Sequence, residues 1–276
     1  MKILVTGSKG QLGYEIINMV EDDEVVGIDK DDLDITDINK TYELIKEIKP
    51  DVVIHCAAYT NVDGAERDID MAYKVNVIGA QNIASACLNV NSKMVYVSTD
   101  FVFDGTKNEP YIEFDIPNPL SVYGKSKLAG ELIVKDILSK HFIVRTAWLY
   151  GKNGNNFVKT MLKLSKEKDV IKVVNDQWGT PTSTVDLSRA ILDLIKTDAY
   201  GTYHGSNKGQ TTWYEFTKKI FEISGINTRI EPISTEELGR PAARPKYSVM
   251  RNYMLELTIG DNFRDWEESL RDYLKA

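Results

Sequence analysis

The sequence contains little cysteine and little histidine. Its 276 residues include two cysteines, Cys56 and Cys87, too few for a disulfide framework or for the common zinc-binding patterns. Both lie in apolar or helical stretches, so we interpret them as small buried side chains. The three histidines, His55, His141 and His204, lie on different elements, and the sequence therefore predicts no histidine metal site.

Basic charge is also scarce. The 34 Lys and Arg residues are outnumbered by 41 Asp and Glu residues, which gives a net charge of −7. Because nucleic-acid affinity comes largely from neutralising phosphates, this balance argues against a nucleic-acid partner. An anionic small ligand must instead be held locally, by backbone N–H groups and a few basic side chains.

Long apolar runs are absent as well. No stretch approaches the roughly 18 consecutive apolar residues that a membrane-spanning helix needs. The first residues, MKILVTG, form an apolar run that is too short for a signal peptide. We therefore expect a cytoplasmic protein with no membrane association.

The composition that remains is typical of a globular protein. Hydrophobic residues make up 42% of the chain and charged residues 27%, which predicts a sizeable buried core rather than a disordered chain. At roughly 150 residues per domain, the length fits two domains or one large α/β unit.

Short β-branched runs alternate with longer helical patterns over the first half of the chain. This order builds right-handed crossovers and a parallel sheet covered on both faces, so the predicted architecture is a doubly wound, Rossmann-type α/β fold. The predicted strands are Ile3–Thr6, Val25–Asp29, Val52–Ala57, Met94–Ser98 and Phe142–Thr146, and the predicted helices are Leu12–Val20, Ile38–Ile48, Met71–Val90 and Gly124–Lys140.

The second half is less regular and is expected to form a smaller C-terminal α/β lobe without a flexible linker. We divide the chain into a dinucleotide-binding domain, residues 1–150, and a substrate-binding lobe, residues 151–276. The segment Ile230–Arg251 contains three prolines and is predicted to be mostly loop. The other predicted elements are helices at Asn155–Lys168, Thr184–Lys196 and Trp213–Ser224 and a strand at Ile171–Val174.

A glycine-rich loop, TGSKGQLG at 6–13, ends the first predicted strand and opens the first helix. Gly7, Gly10 and Gly13 let backbone N–H groups approach a pyrophosphate, which predicts a dinucleotide site. Asp29 ends the second strand, where a carboxylate accepts hydrogen bonds from the adenosine ribose and repels a 2′-phosphate. Lys30 follows and offsets that repulsion, so NADH and NADPH both stay open, as does a solvated acidic turn.

Three side chains form a candidate catalytic group. Tyr123 and Lys127 are four residues apart at the start of a predicted helix, which places both on one face. A nearby ammonium favours the ionised form of a tyrosine, so the pair suits proton transfer. Thr99 ends the fourth strand, at the edge of the sheet where ligands of such folds bind. The alternative for the tyrosine–lysine pair is an ordinary helix face.

Further passages lie around these residues: AAYTNVDGAE at 57–66, VNVIGAQNIA at 75–84, YVSTDFVFDG at 96–105, NPLSVYGKSKLAGE at 118–131, RTAWLYG at 145–151, NNFVKTML at 155–162 and NDQWGTPT at 175–182. With the glycine loop, they resemble the extended short-chain dehydrogenase/reductase superfamily and, more narrowly, the dTDP-4-dehydrorhamnose reductase family. The superfamily motifs indicate nucleotide-dependent redox chemistry, and STDFVF and NDQWGTPT point to the narrower family. The resemblance covers the chain, with a looser match in RPAARPKYS at 240–248.

The resemblance implies reduction of the C4 keto group of dTDP-4-dehydro-L-rhamnose to dTDP-L-rhamnose by NADPH or NADH. It makes Tyr123 the general acid, assisted by Lys127, and lets Thr99 hydrogen-bond the carbonyl oxygen. Asp100 and Trp148 then contact the sugar, with a core position as the alternative for Trp148. The implied cofactor-binding residues are Gly7, Gly10, Gln11, Leu12, Gly13, Asp29, Asp34, Ile35, Ala58, Tyr59, Thr60, Tyr123 and Lys127.

Weaker signals concern assembly, a metal and the Pro-rich segment. Some family members form a dimer through carboxylates and Mg2+. Glu15 and Glu267 match two of those carboxylates, but Val185 stands where a third is expected, which argues against a Mg2+-linked homodimer. Arg240 and Arg244 are candidates to neutralise a nucleotide diphosphate, with a solvated loop as the alternative.

Two other functions stay open at this point. Epimerases and dehydratases of other nucleotide sugars use the same three residues, although dehydratases usually carry Asp-Glu after the strand-end hydroxyl, and this chain has Asp100-Phe101. The second is non-catalytic NADP binding, as in the regulatory subunit of animal methionine adenosyltransferase. The intact Tyr123, Lys127 and Thr99 favour an enzyme. Asn76 resembles the superfamily's structural helix asparagine, which fixes a kink or a water near the lysine.

Overall fold

A six-stranded parallel sheet lies at the centre of the structure, a computed structural model that describes residues 1–275. The strands are β1 (Lys2–Thr6), β2 (Glu24–Ile28), β3 (Val52–His55), β4 (Lys93–Thr99), β5 (His141–Thr146), β6 (Leu149–Tyr150), β7 (Val170–Val174), β8 (Trp178–Gly179), β9 (Thr182–Ser183), β10 (Gly201–His204), β11 (Thr211–Thr212) and β12 (Arg229–Ile233). The central sheet has the order β2–β1–β3–β4–β5–β10, and every neighbouring pair runs parallel.

Helices cover both faces of this sheet. They are α1 (Gln11–Met19), α2 (Ile38–Ile48), α3 (Val62–Ala65), α4 (Ile69–Tyr73), α5 (Ala80–Val90), α6 (Val122–Ile137), α7 (Phe157–Glu167), α8 (Thr184–Ile195), α9 (Trp213–Ser224), α10 (Thr235–Leu238), α11 (Tyr253–Thr258) and α12 (Trp266–Lys275). The doubly wound Rossmann-type fold is thereby confirmed. No helix within the described chain is both long and apolar enough to span a membrane.

The five strands predicted in the first half are all present, within two residues of their predicted bounds. Four of them, β1, β3, β4 and β5, are buried on both faces and appear in the sequence as continuous apolar runs, whereas the edge strand β2 is buried only at Ile28. Ile3, Leu4 and Val5 of β1, for example, are completely buried.

The helix predicted at Met71–Val90 is one continuous pattern in the sequence but three pieces in the structure. α4 passes into a π-helical turn at Lys74–Gly79 before α5 begins. A π turn inserts one extra residue and often lies at a functional position. Here it carries Asn76, whose side chain bonds outside the helix, as described below.

The second half contributes to the sheet of the first. β10 pairs in parallel with β5 and becomes the sixth strand of the central sheet, a strand that the sequence analysis did not predict. Helices α8 and α11 pack into the core of the central sheet, while α7, α9 and α12 build a satellite core around Phe216 and Trp266, with β7 and β12 as a parallel pair.

The prediction that Ile230–Arg251 is mostly loop needs correction at its start. β12 occupies Arg229–Ile233 although it contains Pro232, and α10 follows it directly. Proline is tolerated there because β12 pairs only with β7, so its other edge needs no backbone donor. From Gly239 onward the segment is irregular, apart from isolated bridges of Tyr247 and Met250.

Candidate active site

A cleft with a volume of about 1190 Å3 opens at the carboxyl ends of the central strands. Strands β2 and β3 lie on opposite sides of β1, so the strand order reverses direction at β1. Ligands of open α/β sheets bind at such a switch point. All the residues predicted to bind cofactor or substrate line this cleft: Gly7, Gly10, Gln11, Leu12, Gly13, Asp29, Asp34, Ile35, Ala58, Tyr59, Thr60, Thr99, Asp100, Tyr123, Lys127 and Trp148.

The glycine loop has a shape that side chains would destroy. Gly7 has a φ of +67°, and a Cβ there would lie 2.8 Å from the Ala57 nitrogen; a Cβ on Gly13 would lie 2.3 Å from the Gly7 oxygen. The loop leads into α1, whose N-cap Gly10 supplies no side-chain cap. Beside it the buried Oε1 of Gln11 has no hydrogen-bond partner. These residues fit a dinucleotide pyrophosphate, which takes free N–H groups at a helix start.

Gly13→Ala is expected to abolish detectable NADPH binding while the chain still folds. The new methyl group overlaps the Gly7 carbonyl, so the loop must open and its N–H groups lose their arrangement. Isothermal titration with NADPH measures the effect, and Ser8→Ala in the same loop serves as the control because it retains a Cβ. Binding by Gly13→Ala as tight as that of Ser8→Ala would contradict a pyrophosphate role for the loop.

The acidic loop after β2 is built around Asp29. Its carboxylate accepts hydrogen bonds from the backbone N–H of Lys9 at 2.9 Å and of Lys30 at 2.8 Å. Lys9 also pairs through Nζ with Asp31 at 3.0 Å. The turn is therefore ordered by its own contacts, and Lys9, Asp29 and Lys30 all face the cleft. Further on, Thr36 donates two hydrogen bonds that lower the pKa of Asp34.

Asn76 ties the loop after β3 to the helix that carries Tyr123. Its Oδ1 accepts from the Tyr59 nitrogen at 2.8 Å, and its Nδ2 donates to the Tyr59 oxygen at 3.2 Å and to Ser126 Oγ at 3.0 Å. Ser126 in turn donates to the carbonyl of Tyr123. These contacts explain the π turn, because the extra residue points the Asn76 side chain toward Tyr59 and α6.

Tyr123, Thr99 and Asp100 meet at the end of β4. Thr99 Oγ1 donates to Asp100 Oδ1 at 3.0 Å. Burial raises the pKa of Tyr123 to about 12; a hydrogen bond with Thr99 opposes that rise, and the Asp100 charge adds to it. The Phe101 ring meets the Tyr123 ring edge-on, with centroids 5.6 Å apart. The geometry thus brings together a phenol, a hydroxyl and a carboxylate that the sequence predicted to act in one place.

Lys127 lies one turn further along α6 and is 2% exposed. Burial lowers its pKa to about 7, against the charge of Glu131, which raises it. Its Nζ lies 4.0 Å from the centroid of the Tyr96 ring, a cation–π contact that partly replaces water.

The two cysteines differ in exposure. The prediction that both are buried is confirmed for Cys87 but wrong for Cys56, which is only partly buried and lines the cleft.

An unexpected aromatic pair lines one part of the cleft. Trp148, with a φ of +45°, stacks on Trp213 with ring centroids 3.5 Å apart and planes 8° apart. Gly179 makes this possible, because a Cβ there would lie 2.4 Å from the Trp148 ring. Trp213 opens α9, and its position in an amphipathic pattern gave no sign that it faces a ligand cleft.

The two arginines of the Pro-rich segment converge on Asp63. Arg244 Nη2 lies 3.0 Å from Asp63 Oδ1, and Arg240 Nη1 lies 3.4 Å from Oδ2. Only Arg244 lines the cleft. Arg244 is largely buried against Asp63, whereas Arg240 lies in an exposed run and its side chain is 55% exposed, as expected for a solvated loop. Asp63, which was not among the predicted site residues, joins the second lobe to the segment after β3.

The two carboxylates that match those of a metal-linked dimer, Glu15 and Glu267, form contacts within this chain. Glu15 accepts a hydrogen bond from Thr184 Oγ1 at 3.2 Å, next to Val185. Glu267 pairs with Lys219 at 3.3 Å and with Arg271 at 3.1 Å. Over residues 1–275, no group of three or more His, Cys, Asp or Glu side chains is arranged to hold a metal ion.

Comparisons with known proteins agree with this architecture. The chain is similar to a dTDP-4-dehydrorhamnose reductase from Aggregatibacter actinomycetemcomitans, 38% identical over 98% of this chain and 97% of that protein. A solved dTDP-4-dehydrorhamnose reductase from Clostridium acetobutylicum is 54% identical, with a TM-score of 0.98 over 100% of this chain and 99% of that one. One from Bacillus anthracis, solved in complex with NADP, is 48% identical, with a TM-score of 0.98 over 99% and 98%.

The family described as RmlD substrate binding domain matches residues 1–276. The match covers both the glycine loop and the second lobe. The chain therefore belongs to the RmlD substrate-binding-domain family.

Proposed function

We propose that this protein reduces the C4 keto group of dTDP-4-dehydro-L-rhamnose to dTDP-L-rhamnose at the expense of NADPH or NADH. The observation that carries the proposal is the convergence of Tyr123, Thr99 and Lys127 in the same cleft as the glycine loop. The names of full-length relatives and of the two solved structures support the same reaction.

The cofactor supplies a hydride when it is bound. In this proposal its pyrophosphate lies against the backbone N–H groups at the start of α1, and Gly7, Gly10 and Gly13 leave room for that close approach. Lys127 lies where it can hydrogen-bond the nicotinamide ribose hydroxyls. The remaining walls of the cofactor half of the cleft are formed by Gln11, Leu12, Asp34, Ile35, Ala58, Tyr59 and Thr60.

The chain's own chemistry in this reaction is proton delivery. As hydride reaches C4, the carbonyl oxygen becomes an alkoxide, and the Tyr123 phenol transfers its proton to that oxygen. In the substrate complex the Thr99 hydroxyl, which donates to Asp100 Oδ1 in the free protein, turns to donate a hydrogen bond to the same oxygen and stabilises the developing charge. A positively charged Lys127 favours the phenolate that Tyr123 leaves behind.

The other half of the cleft suits the sugar nucleotide. Trp148, supported by Trp213, presents a flat apolar surface to a sugar face, and Asp100 accepts a hydrogen bond from a sugar hydroxyl. Arg244, which lines the cleft, is our candidate to bind the substrate diphosphate. In this proposal residues 1–150 bind the cofactor and supply the catalytic group, Asp100 and Trp148, while residues 151–276 complete the substrate site with Trp213 and Arg244.

Asp29→Asn is expected to raise the ratio of kcat/KM with NADPH to kcat/KM with NADH about tenfold. The substitution removes a carboxylate that repels a 2′-phosphate and keeps an oxygen to accept the Lys9 or Lys30 N–H. Steady-state kinetics with each cofactor measure the ratio. Asp32→Asn is the control, because Asp32 does not line the cleft. An unchanged ratio in Asp29→Asn would remove Asp29 from the adenosine site.

An absorbance assay at the reduced-nicotinamide band tests the function directly. We expect stoichiometric loss of NADPH or NADH on addition of dTDP-4-dehydro-L-rhamnose. A purified protein that retains NAD and consumes no reduced cofactor would instead indicate an epimerase. Binding of NADP without turnover of any keto-sugar, together with capture of a synthetase, would indicate a regulatory subunit.

A further inference from the structure

Ser248 lies directly behind the candidate catalytic group. Its Oγ donates a hydrogen bond to Asp100 Oδ2 at 2.6 Å, while Thr99 donates to Oδ1 of the same carboxylate. Ser248 and Asp100 are each 2% exposed, so no bulk water competes for these contacts. Ser248 does not itself line the cleft; it reaches the substrate side only through Asp100.

The backbone on both sides of Ser248 is fixed to other parts of the chain. The Ser248 nitrogen donates to the Trp178 oxygen at 2.8 Å, and the Trp178 nitrogen donates to the Lys246 oxygen at 2.8 Å. One residue later, the Tyr111 nitrogen donates to the Val249 oxygen at 2.8 Å. The Ser248 hydroxyl is therefore held against Asp100 by a rigid segment rather than by a flexible loop.

The surroundings of Asp100 oppose its negative charge. Burial raises its pKa to about 6, and the hydrogen bonds from Ser248 and Thr99 act in the opposite direction. Of the titratable side chains that line the cleft, Tyr123 of α6 interacts with the Asp100 charge, which raises the pKa of the phenol, and Lys127 lies one turn further along α6. Two neutral hydroxyl donors thus supply the stabilisation that a solvated carboxylate receives from water.

Resting on the proposed function, we propose that Ser248 is a positioning residue that keeps the Asp100 carboxylate ionised and directed at a sugar hydroxyl. An ionised carboxylate can only accept hydrogen bonds, so the sugar hydroxyl must be the donor, and the direction of this hydrogen bond is fixed. A protonated Asp100 would offer a competing donor and lose that contact.

The proposal predicts the direction in which Ser248→Ala moves the pH profile of kcat/KM. Asp100 is ionised above its pKa, so kcat/KM falls as pH decreases through that value. Ser248→Ala removes a hydrogen bond made to the charged form, which raises the pKa of Asp100 and moves the acid limb of the profile to higher pH. Loss of one hydrogen bond to a charged group is expected to move this limb upward by about one to two pH units.

Two measurements test this in the intact protein. The first is the pH profile of kcat/KM with dTDP-4-dehydro-L-rhamnose for the unsubstituted chain, Ser248→Ala and Ser248→Thr, where the threonine keeps the hydroxyl and is expected to retain the original limb. The second is a 13C NMR titration of protein labelled at the aspartate carboxyl carbons, with the Asp100 signal assigned by its loss in Asp100→Asn. We expect the same upward shift in both measurements.

A matched pair elsewhere in the chain provides the control. Ser269 Oγ also donates to a buried aspartate, Asp186, far from the cleft. Ser269→Ala is expected to leave the acid limb in place even if it lowers stability. If Ser248→Ala lowers kcat at every pH without moving the limb, or leaves the Asp100 carboxyl titration unchanged, the proposal is wrong.

The two readouts also separate this proposal from the proposed function. Absence of turnover in the unsubstituted chain contradicts the reaction, while the NMR titration still decides whether Ser248 controls Asp100. Turnover with an unshifted titration in Ser248→Ala contradicts the positioning role alone.

Discussion

Replacing Tyr123 with phenylalanine is expected to lower kcat by a factor of about 10^2 to 10^4, the usual contribution of a positioned general acid. The phenol is the proton donor of the proposed reaction, and the neighbouring Thr99 hydroxyl cannot take its place because an aliphatic alcohol is a far weaker acid than a phenol. The residual rate comes from hydride transfer with water as the proton source.

Cofactor binding is expected to survive the same substitution. Phenylalanine keeps the ring that packs edge-on against Phe101, so the start of α6 and the position of Lys127 are preserved. Single-turnover absorbance measures the rate, and quenching of tryptophan fluorescence by NADPH measures binding. Tyr73→Phe, on the partly exposed end of α4, is the control. A Tyr123→Phe rate within a factor of three of the control would refute the general-acid assignment.

The parts of this fold that the sequence predicted are those built from local patterns. The strands around Ile3 and Ile54 are buried on both faces, and their apolar runs are bounded by glycine and polar residues. The glycine loop and the Tyr123–Lys127 step are also local, since one turn or one helix face fixes their geometry. For these features, short-range sterics and the burial of apolar side chains decide the structure.

The features that the sequence did not predict depend on contacts between distant segments. Nothing near Trp213 indicates that it stacks on Trp148, and nothing near Ser248 indicates that it reaches Asp100. Strand β10 is four residues long and gains its place in the sheet only by pairing with β5. The π turn is another such feature. It depends on the hydrogen bonds of Asn76 to Tyr59, which the helical periodicity of residues 71–90 does not indicate.

A second large effect, on stability, is expected at the buried ion pair between Arg145 and Glu131 beneath the active site. Arg145 of β5 donates through Nε to Glu131 Oε1 at 2.9 Å and through Nη2 to Oε2 at 2.7 Å. Ser98 Oγ donates to the same Oε1 at 2.6 Å, which ties the pair to β4. The side chains of Arg145 and Glu131 are 3% and 0% exposed, and Arg145 Nη1 is already without a partner. Glu131 is therefore the main partner of the guanidinium, with smaller contributions from the Phe103 ring 5.2 Å away and from the charge of Glu113.

Glu131→Gln is accordingly expected to lower the free energy of unfolding by about 3–5 kcal/mol, because it leaves a buried charge uncompensated. Urea unfolding measures the change. The double variant Glu131→Gln, Arg145→Met is expected to recover most of the loss, since it removes the stranded charge together with its partner. If the single variant lies within about 1 kcal/mol of the unsubstituted chain, or the double variant is the less stable of the two, the stability of this layer rests on packing rather than on the ion pair.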